Sequence, residues 1–340
     1  MTELLNTLYV QTAGTSLHLE GDTVRIFHPD QPGRKILPLG RIDHVVLFGG
    51  VTASDDLLLR CADDRRSVSW LTGFGRFRAR LCGPTAGNPL LRRAQHRVYD
   101  DRAQRLSIAK RMVTGKIHNG RQVLLRAARD ATGVSQTRLR AAAERNADTL
   151  ASVEKSADID ALLGAEGTAA RAYFAAFPAM CPSANSPFER SRRPPADPVN
   201  CLLSFLYGML RVAVHGALEQ VGLDPYIGYL HGVRPGKPAL ALDLMEEFRP
   251  LLADRLAITL INRKQVEESD FEHLPGGAVR LTDNSRRDIL NAWQRSRERM
   301  WPHVHLHRDI PAATLPLVQA RLLARHLRGD LDEYLPWTVN

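Results

Sequence analysis

Residues 82–101, CGPTAGNPLLRRAQHRVYDD, separate two parts of the sequence that differ in hydrophobic period. Before them, apolar and polar residues alternate in short runs such as SLHLEGDTVRIF (16–27), which is typical of half-buried strands joined by a tight turn at Gly-Asp. From residue 87 onward the apolar residues recur with a period near 3.6, which indicates helices. We therefore predict an α+β protein with a β domain over residues 1–86 and a helical domain over residues 87–340.

One segment in each predicted domain departs from the secondary structure of the rest of that domain. SDDLLLRCADDRR (54–66) begins with Ser54, a favourable N-cap residue, and is predicted to be a helix inserted among the strands. FEHLPGGAVRLTD (271–283) contains a Gly-Gly pair between two extended runs, which predicts a hairpin, the one non-helical excursion expected after residue 90.

The most apolar helix candidate begins at Asp197, with Pro198 in the first helical position. Its apolar residues lie nearly all round the helix, so we predict that it forms the centre of the second domain.

The composition sets the class of protein and favours certain partners. With 340 residues, of which 44% are hydrophobic, the chain is long enough for two domains with a substantial core. The net charge of +9 favours polyanionic partners. No apolar run approaches the roughly 20 residues that span a bilayer, and the N-terminus lacks the features of a secretory signal. We therefore expect a cytoplasmic protein that does not bind a membrane.

Carboxylates interrupt an otherwise apolar stretch, YIGYLHGVRPGKPALALDLMEEFRP (226–250). Asp243 and Glu246 are three residues apart, which on a helix brings their charges to within roughly 5–6 Å. A divalent cation would relieve the repulsion between these two negative charges. The Gly/Pro-rich turn allows His231 to approach the same face of the helix. Glu247 points to another side, so its replacement by Gln is expected neither to eliminate catalysis nor to raise the stability of the metal-free protein.

A third acid, Glu166, lies between Gly164 and Gly167 at the start of an apolar-striped helix. Carboxylates together with one imidazole suit Mg²⁺ or Mn²⁺ better than a thiolate metal. The alternative for each acid is that it only complements a helix dipole or pairs with a nearby arginine such as Arg249.

A basic loop, FERSRRPPADPVN (188–200), precedes the apolar helix. Its guanidinium groups, from Arg190, Arg192 and Arg193, have the fork geometry that binds phosphate, and its prolines keep the loop from becoming helical. The alternative is a solvated basic loop.

Taken together, the acidic stretch, Glu166 and the basic loop make the sequence resemble the universal CRISPR-associated adaptation protein. That protein is the integrase and endonuclease that inserts new spacers into a CRISPR array. The resemblance runs from end to end and is closest to the subtype I-C branch. Its most specific blocks are RSRRPPADPVN (190–200), GLDPYIGYLH (222–231) and LDLMEEFRP (242–250).

The resemblance implies a fold and a set of partners. It implies an N-terminal β-sandwich-like domain followed by an all-helical catalytic domain. It implies homodimers that flank a dimer of a small ferredoxin-like companion protein. The DNA partners would be a double-stranded prespacer and the CRISPR repeat.

The resemblance also assigns roles to residues of this sequence. Glu166, His231 and Glu246 would bind Mg²⁺ or Mn²⁺. Asp243 would be an auxiliary catalytic acid, either as a partial ligand of the metal or by orienting one of its ligands. Lys237 would join the arginine loop in binding DNA phosphates. The implied reaction is attack by a 3′-hydroxyl on a phosphodiester at the leader-repeat boundary, with hydrolysis when water is the nucleophile.

A histidine triplet in HVHLHRD (303–309) lies outside this assignment. The triplet consists of His303, His305 and His307, which alternate along the chain and imitate a metal site. Because the family has no such triplet, we interpret it as a local surface peculiarity.

Two other functions use the same residues. A structure-selective, metal-dependent DNA repair nuclease would have the same acids and would use water as the nucleophile. A non-catalytic DNA-binding scaffold would use the acids only as caps and ion-pair partners, so it would bind DNA in a salt-sensitive way without metal binding or turnover.

The double substitution Arg192→Ala, Arg193→Ala is expected to weaken DNA binding about equally for all sequences, because phosphate contacts carry no base information. Each lost contact should flatten the dependence of log K on log salt by roughly one unit. Binding isotherms of a labelled duplex at several salt concentrations measure the slope. An unchanged slope, or reduced thermal stability with normal binding, would favour the solvated loop.

Overall fold

The computed structural model describes residues 7–81, 83, 88–184, 188, 190 and 194–339, with the backbone alone for residues 31–34. It divides into two compact units, Met1–Gly87 and Asn88–Asn340. The sequence places the boundary between residues 86 and 87.

The first unit is built from strands with one inserted α-helix in its described part. Its elements are β1 (Thr7–Val10), β2 (Ser16–Glu20), β3 (Thr23–His28), β4 (Gln31–Pro38), β5 (His44–Leu47), β6 (Thr52–Ala53), α1 (Asp55–Asp63), β7 (Ser67–Leu71) and β8 (Phe77–Arg80). One sheet has the order β1-β5-β7-β8 and the other has the order β4-β3-β2-β6. Leu17 of β2, Leu47 of β5 and Leu57 of α1 share one buried core, which confirms the β-sandwich-like domain.

Two local predictions for this unit are confirmed. Glu20 pairs with Thr23 across a two-residue turn, in which Gly21 has a φ of +59° that glycine adopts without strain. The inserted helix begins where Ser54 accepts a hydrogen bond from the backbone N–H of Leu57.

The second unit is mostly helical. Its helices are α2 (Pro89–Asp100), α3 (Arg102–Asp130), α4 (Gly133–Lys155), α5 (Ile159–Met180), α6 (Pro198–Val221), α7 (Ala239–Met245), a π-helix (Arg249–Asp254), α8 (Arg255–Asn262), α9 (Asp283–Glu298) and α10 (Leu315–Leu327). Its strands are β9 (Phe271–His273), β10 (Val279–Leu281), β11 (Met300–His303) and β12 (Arg308–Pro311). Helices α3, α4 and α5 pack against one another, and α6 packs against α7 and α10.

Helix α6 is the predicted central helix. Asp197 caps it by accepting a hydrogen bond from the N–H of Asn200 at 2.8 Å, and Gly222 ends it with a φ of +93°. By length and composition alone it could also cross a bilayer, so the expectation that no apolar run is long enough to do so is wrong. Because 67% of its apolar window is buried inside the protein, we interpret it as a core helix.

The second unit contains two hairpins where one was predicted. The β9–β10 hairpin is the expected one, with Phe271 paired to Leu281. In the additional β11–β12 hairpin, Trp301 pairs with Ile310 and both are buried. This unit is therefore largely rather than entirely helical, since two buried apolar residues outweigh the weak alternation of the sequence around them.

The histidine triplet lies in this second hairpin and does not share one face. His303 is 1% exposed, and its Nε2 lies 3.1 Å from the side-chain oxygen of Gln319. His307 is exposed and has a φ of +49°, so the chain turns there. The interpretation as a surface peculiarity is therefore wrong for His303, which is part of the interior.

The C-terminal tail, residues 333–339, is attached to the carboxylate of Glu247. The backbone N–H of Trp337 donates to Glu247 Oε2 at 2.6 Å, and the Tyr334 hydroxyl donates to Oε1 at 2.6 Å. Gln319 donates from its side-chain amide to the same group at 3.2 Å. Glu247 is fully buried, so these hydrogen bonds make it a structural residue that holds the tail in place.

Replacing Glu247 by Gln should change how stability depends on pH. Burial raises the pKa of Glu247 to about 8, against the lowering effect of its hydrogen-bond donors, from an ordinary value of 4.5. Between these values the folded state holds a proton that the unfolded state has lost, so stability should fall as the pH rises. This group contributes a slope of up to about 1.4 kcal/mol per pH unit, which Glu247→Gln should remove.

Urea unfolding of the parent and of Glu247→Gln across this pH window measures the difference between their slopes. The variant should also be less stable at the acidic end, because its NH₂ group faces donors. Glu144→Gln, an exposed change on α4, is the matched control and should keep the parent's slope. Equal slopes in parent and Glu247→Gln would contradict the expectation.

Candidate active site

The turn that carries His231 is tied to α7 by the carboxylate of Asp243. Asp243 Oδ2 accepts hydrogen bonds from the backbone N–H groups of Tyr229 at 2.6 Å and Leu230 at 2.9 Å. Its Oδ1 accepts from the N–H of His231 at 2.9 Å and lies 2.6 Å from His231 Nδ1. This fully buried acid therefore fixes both the backbone and the ring of His231.

Gly228 makes this close approach of the turn to α7 possible. A Cβ at this position would lie 2.6 Å from both the carbonyl carbon of Ala239 and Oδ2 of Asp243. Atoms do not come that close without displacement, so a residue other than glycine would push the turn away from the helix.

The imidazole of His231 is oriented to offer Nε2 to a ligand. When Nδ1 donates to a carboxylate, Nε2 keeps the lone pair, as in many metal-bound histidines. The expectation that Asp243 and Glu246 face one cation is not what the structure shows, because the oxygens of Asp243 are directed at the turn.

Glu246 lies among cations. Its Oε1 accepts a hydrogen bond from Arg249 Nη1 at 2.7 Å, and its Oε2 lies 2.6 Å from Lys116 Nζ. Burial by itself would raise the pKa of Glu246, but Arg249, Lys116 and, more weakly, His231 lower it to about 2. These cations already offset the like-charge repulsion that the sequence suggested, so Glu246→Gln has none to relieve in the metal-free protein.

Glu166, on α5, is brought to the same place by Lys116. The ammonium group of this lysine, on α3, contacts Glu166 Oε1 as well as Glu246 Oε2. The three side chains are mostly buried, with exposures of 20% for Glu166, 19% for Lys116 and 5% for Glu246. Two of the predicted metal ligands therefore converge on one cationic position.

Lys116 is missing from the site predicted from the sequence, although a signal for it was present. Gly115 and Gly120 lie inside a 29-residue helix, where each glycine costs roughly 1 kcal/mol relative to alanine. A Cβ at Gly115 would lie 3.1 Å from Cβ of Glu247, and one at Gly120 would lie 3.5 Å from the ring of Tyr173. These glycines thus mark where α3 packs closely against neighbouring residues, on the helix that carries Lys116.

The residues fit a divalent cation in charge and donor type. Glu166 and Glu246 supply anionic oxygens at a position that the ammonium group of Lys116 takes, and His231 Nε2 would add a nitrogen donor. Among the described residues, no three His, Cys, Asp or Glu side chains already form a group ready to hold a metal. Binding a metal would therefore require side chains to move.

Another buried acid, Asp254, lies beside this site and was not predicted from the sequence. It accepts hydrogen bonds from the hydroxyls of Tyr173 at 3.1 Å and Tyr207 at 2.5 Å, and burial raises its pKa despite these donors. The guanidinium of Arg249 lies 4.1 Å from the centre of the Tyr207 ring. The residues of both groups line one cavity of about 40 Å³, among them Lys116, Glu166, Tyr173, Tyr207, Arg249 and Asp254.

The residues predicted to bind DNA have different positions. Arg190 donates to the side-chain oxygen of Asn200 at 2.6 Å and lies over the rings of Phe174 and Tyr207, at 5.3 and 5.8 Å. These contacts hold the guanidinium of Arg190 against α5 and α6. Its predicted role in binding DNA phosphate stays a prediction. Lys237 is half-buried in the turn before α7. Residues 192 and 193, the other two arginines, lie outside the described residues.

Comparison with known proteins identifies the family. A family model described as CRISPR associated protein Cas1 matches residues 8–295. The chain belongs to the Cas1 family. Over 338 residues it is 46% identical to the CRISPR-associated endonuclease Cas1 1 of Moorella thermoacetica, which covers 98% of both chains. It is 47% identical over 346 residues to the CRISPR-associated endonuclease Cas1 2 of Rhodospirillum rubrum, which covers 99% of both. The family inferred from the sequence motifs is thereby confirmed.

Solved structures share this Cas1 fold. A CAS1 protein from Thermotoga maritima matches 98% of this chain and 100% of its own, with a TM-score of 0.82 and 22% identity. A casposase bound to integration product matches 98% and 93%, with a TM-score of 0.82 and 23% identity. A Cas6-RT-Cas1–Cas2 complex contains a chain that matches 99% of this one over 36% of its own length, with a TM-score of 0.83 and 23% identity. At these identities the likeness establishes the α+β fold.

The substitution Asp243→Asn is expected to lower the free energy of unfolding by about 1–3 kcal/mol, because its NH₂ group would face hydrogen-bond donors of the turn. It should also free the ring of His231, which two-dimensional ¹⁵N NMR of the imidazole would detect as a change of tautomer.

Asp224→Asn is the matched control for this change. Asp224 Oδ1 accepts a hydrogen bond from the N–H of Tyr226 at 2.8 Å in the same loop, and an asparagine oxygen can accept the same bond. Equal stability of the two variants would contradict the role given to Asp243.

Proposed function

We propose that this chain is a metal-dependent DNA endonuclease and integrase that inserts new spacers into a CRISPR array. In this proposal a 3′-hydroxyl of the incoming DNA attacks a phosphodiester at the leader-repeat boundary. The same centre cleaves DNA when water is the nucleophile.

One observation carries the proposal: Glu166 and Glu246 converge on one cationic position, and His231, whose ring an acid orients, is near enough to Glu246 to help lower its pKa. Glu166 lies on α5 and Glu246 directly follows α7, far apart in the chain, and Glu166 lines a small cavity together with Lys116 and Arg249. Acids that served only as helix caps or surface ion pairs would not need to be buried together around one cation.

The relatives support the same class of reaction. The proteins of Moorella thermoacetica and Rhodospirillum rubrum are named endonucleases, and both match this chain over nearly its whole length. The casposase with the same fold is described as bound to an integration product. These names describe those proteins, and we extend the chemistry to this chain because its acids and histidine have a suitable arrangement.

The proposed ligands of Mg²⁺ or Mn²⁺ are Glu166, Glu246 and His231. When bound, the ion would lower the pKa of the attacking hydroxyl and balance the charge that develops on the phosphate. Asp243 keeps Nε2 of His231 available by accepting the bond from Nδ1. Arg249 holds Glu246 in its ionised form and fixes one of its oxygens.

The proposed partners are DNA, a second copy of this chain and a companion protein. Arg192, Arg193 and Lys237 would contact the phosphates of a double-stranded prespacer and of the CRISPR repeat. The chain would form homodimers that flank a dimer of the small ferredoxin-like companion. A solved assembly of this fold includes Cas2, which supports such a companion. We place the chain in the subtype I-C branch and in the cytoplasm.

Strand joining by the purified full chain tests this function. A labelled duplex with free 3′ ends is mixed with a supercoiled plasmid that carries a leader and repeat, with Mg²⁺ or Mn²⁺ and with or without the companion. We expect labelled plasmid from the parent, and a loss of about 100-fold or more for Glu166→Ala and His231→Ala. Calorimetry with MnCl₂ on the same proteins should show weaker binding by both variants.

Glu144→Ala on α4 and His96→Ala on α2 are the matched controls, since both residues are exposed. They should join DNA and bind Mn²⁺ like the parent. Plasmid cleavage without joining would favour a repair nuclease. Salt-sensitive DNA binding without metal binding or turnover would favour a scaffold.

A further inference from the structure

Lys116 occupies a position that the assigned roles leave unexplained. It extends from α3 into the space between Glu166 and Glu246, and its side chain is only 19% exposed. A lysine placed this way gives up most of its hydration, which it does when anionic partners replace the water. Both of its anionic partners are proposed metal ligands.

The charges of the site show what this lysine does. Glu246 Oε1 is held by Arg249, whereas Oε2 faces Lys116 at 2.6 Å. Glu166 Oε1 contacts the same ammonium group. Arg249 therefore fixes one oxygen of one acid, and Lys116 is the cation that joins the two acids.

A metal ion bound by both acids would need the same two oxygens. The ammonium group and a divalent cation repel each other, and this repulsion is stronger in a mostly buried site than in water. Lysine has a flexible four-carbon stem, so its charged end can leave the site without a change in the helix.

We propose that Lys116 is the counter-ion of the metal-free site and that a divalent cation binds by displacing its ammonium group from Glu166 and Glu246. This inference rests on the proposed metal site. The lysine keeps the acids together before the metal arrives, and competition from its charge sets the metal concentration at which the site fills.

The substitution Lys116→Met tests the competition, because methionine keeps an unbranched stem and removes the charge. Calorimetry with MnCl₂ alone, without DNA, should show that Lys116→Met binds Mn²⁺ about tenfold or more tightly than the parent. Its melting temperature should be lower than the parent's without metal and should rise more when Mn²⁺ is added. Lys116→Arg keeps a cation and should not gain affinity.

Lys110→Met is the matched control on the same helix. Lys110 donates to the backbone carbonyl of Glu154 at 2.6 Å, so its loss removes one charge away from the acids. It should leave Mn²⁺ affinity at the parent's value. If folded Lys116→Met binds Mn²⁺ no more tightly than Lys110→Met, the displacement is disproved.

A measurement on the parent protein covers the case in which Lys116→Met does not fold. Acetylation of lysines by a water-soluble active ester, followed by mass spectrometry of peptides, reports how accessible each amine is. Saturating Mg²⁺ should increase the rate at Lys116 and leave Lys110 unchanged. No increase at Lys116 would contradict displacement of its ammonium group.

The metal titrations also separate this inference from the proposed function. If the parent binds Mn²⁺ and Glu166→Gln weakens that binding, but Lys116→Met has no effect, the metal site stands and the displacement fails. If the parent binds no Mn²⁺, both fail together.

Discussion

Three buried carboxylates on one short segment organise the second unit, because a buried acid must be balanced by a cation, by hydrogen-bond donors or by a proton. Asp243, Glu246 and Glu247 are all buried, and each meets this requirement with a different part of the chain. Asp243 accepts hydrogen bonds from the backbone of the turn before α7. Glu246 forms ion pairs with Arg249 and a lysine of α3, and Glu247 accepts hydrogen bonds from the C-terminal tail.

The neighbouring acids Glu246 and Glu247 show how strongly the surroundings decide charge. Both are buried, yet cations lower the pKa of Glu246 to about 2. Burial raises the pKa of Glu247 to about 8, because the neutral donors around it offset only part of the effect of burial. The first is thus kept anionic, which its proposed role as a metal ligand requires. The second holds the tail against α3 and α7 without adding another negative charge close to the site.

Much of the fold could be predicted because it depends on local properties of the sequence. Alternation and a Gly-Asp turn specify the β2–β3 hairpin, and Ser54 and Asp197 specify where α1 and α6 begin. The β11–β12 hairpin could not be recognised in this way. Its strands are short, and Trp301 and Ile310 become a buried pair only when the rest of the unit covers them.

The candidate site likewise has features that could be predicted from the sequence and features that could not. The available residue types can be read from the chain alone: the acids at 166, 243 and 246, the histidine at 231, and a Gly/Pro-rich turn that lets the chain come back on itself. The contacts of these groups depend on three-dimensional packing, which places Asp243 against the turn, Lys116 between the two glutamates, and Arg190 against Asn200. The physical reason is that a hydrogen bond or ion pair depends on distances of a few ångströms between groups far apart in the chain, which helical spacing does not fix.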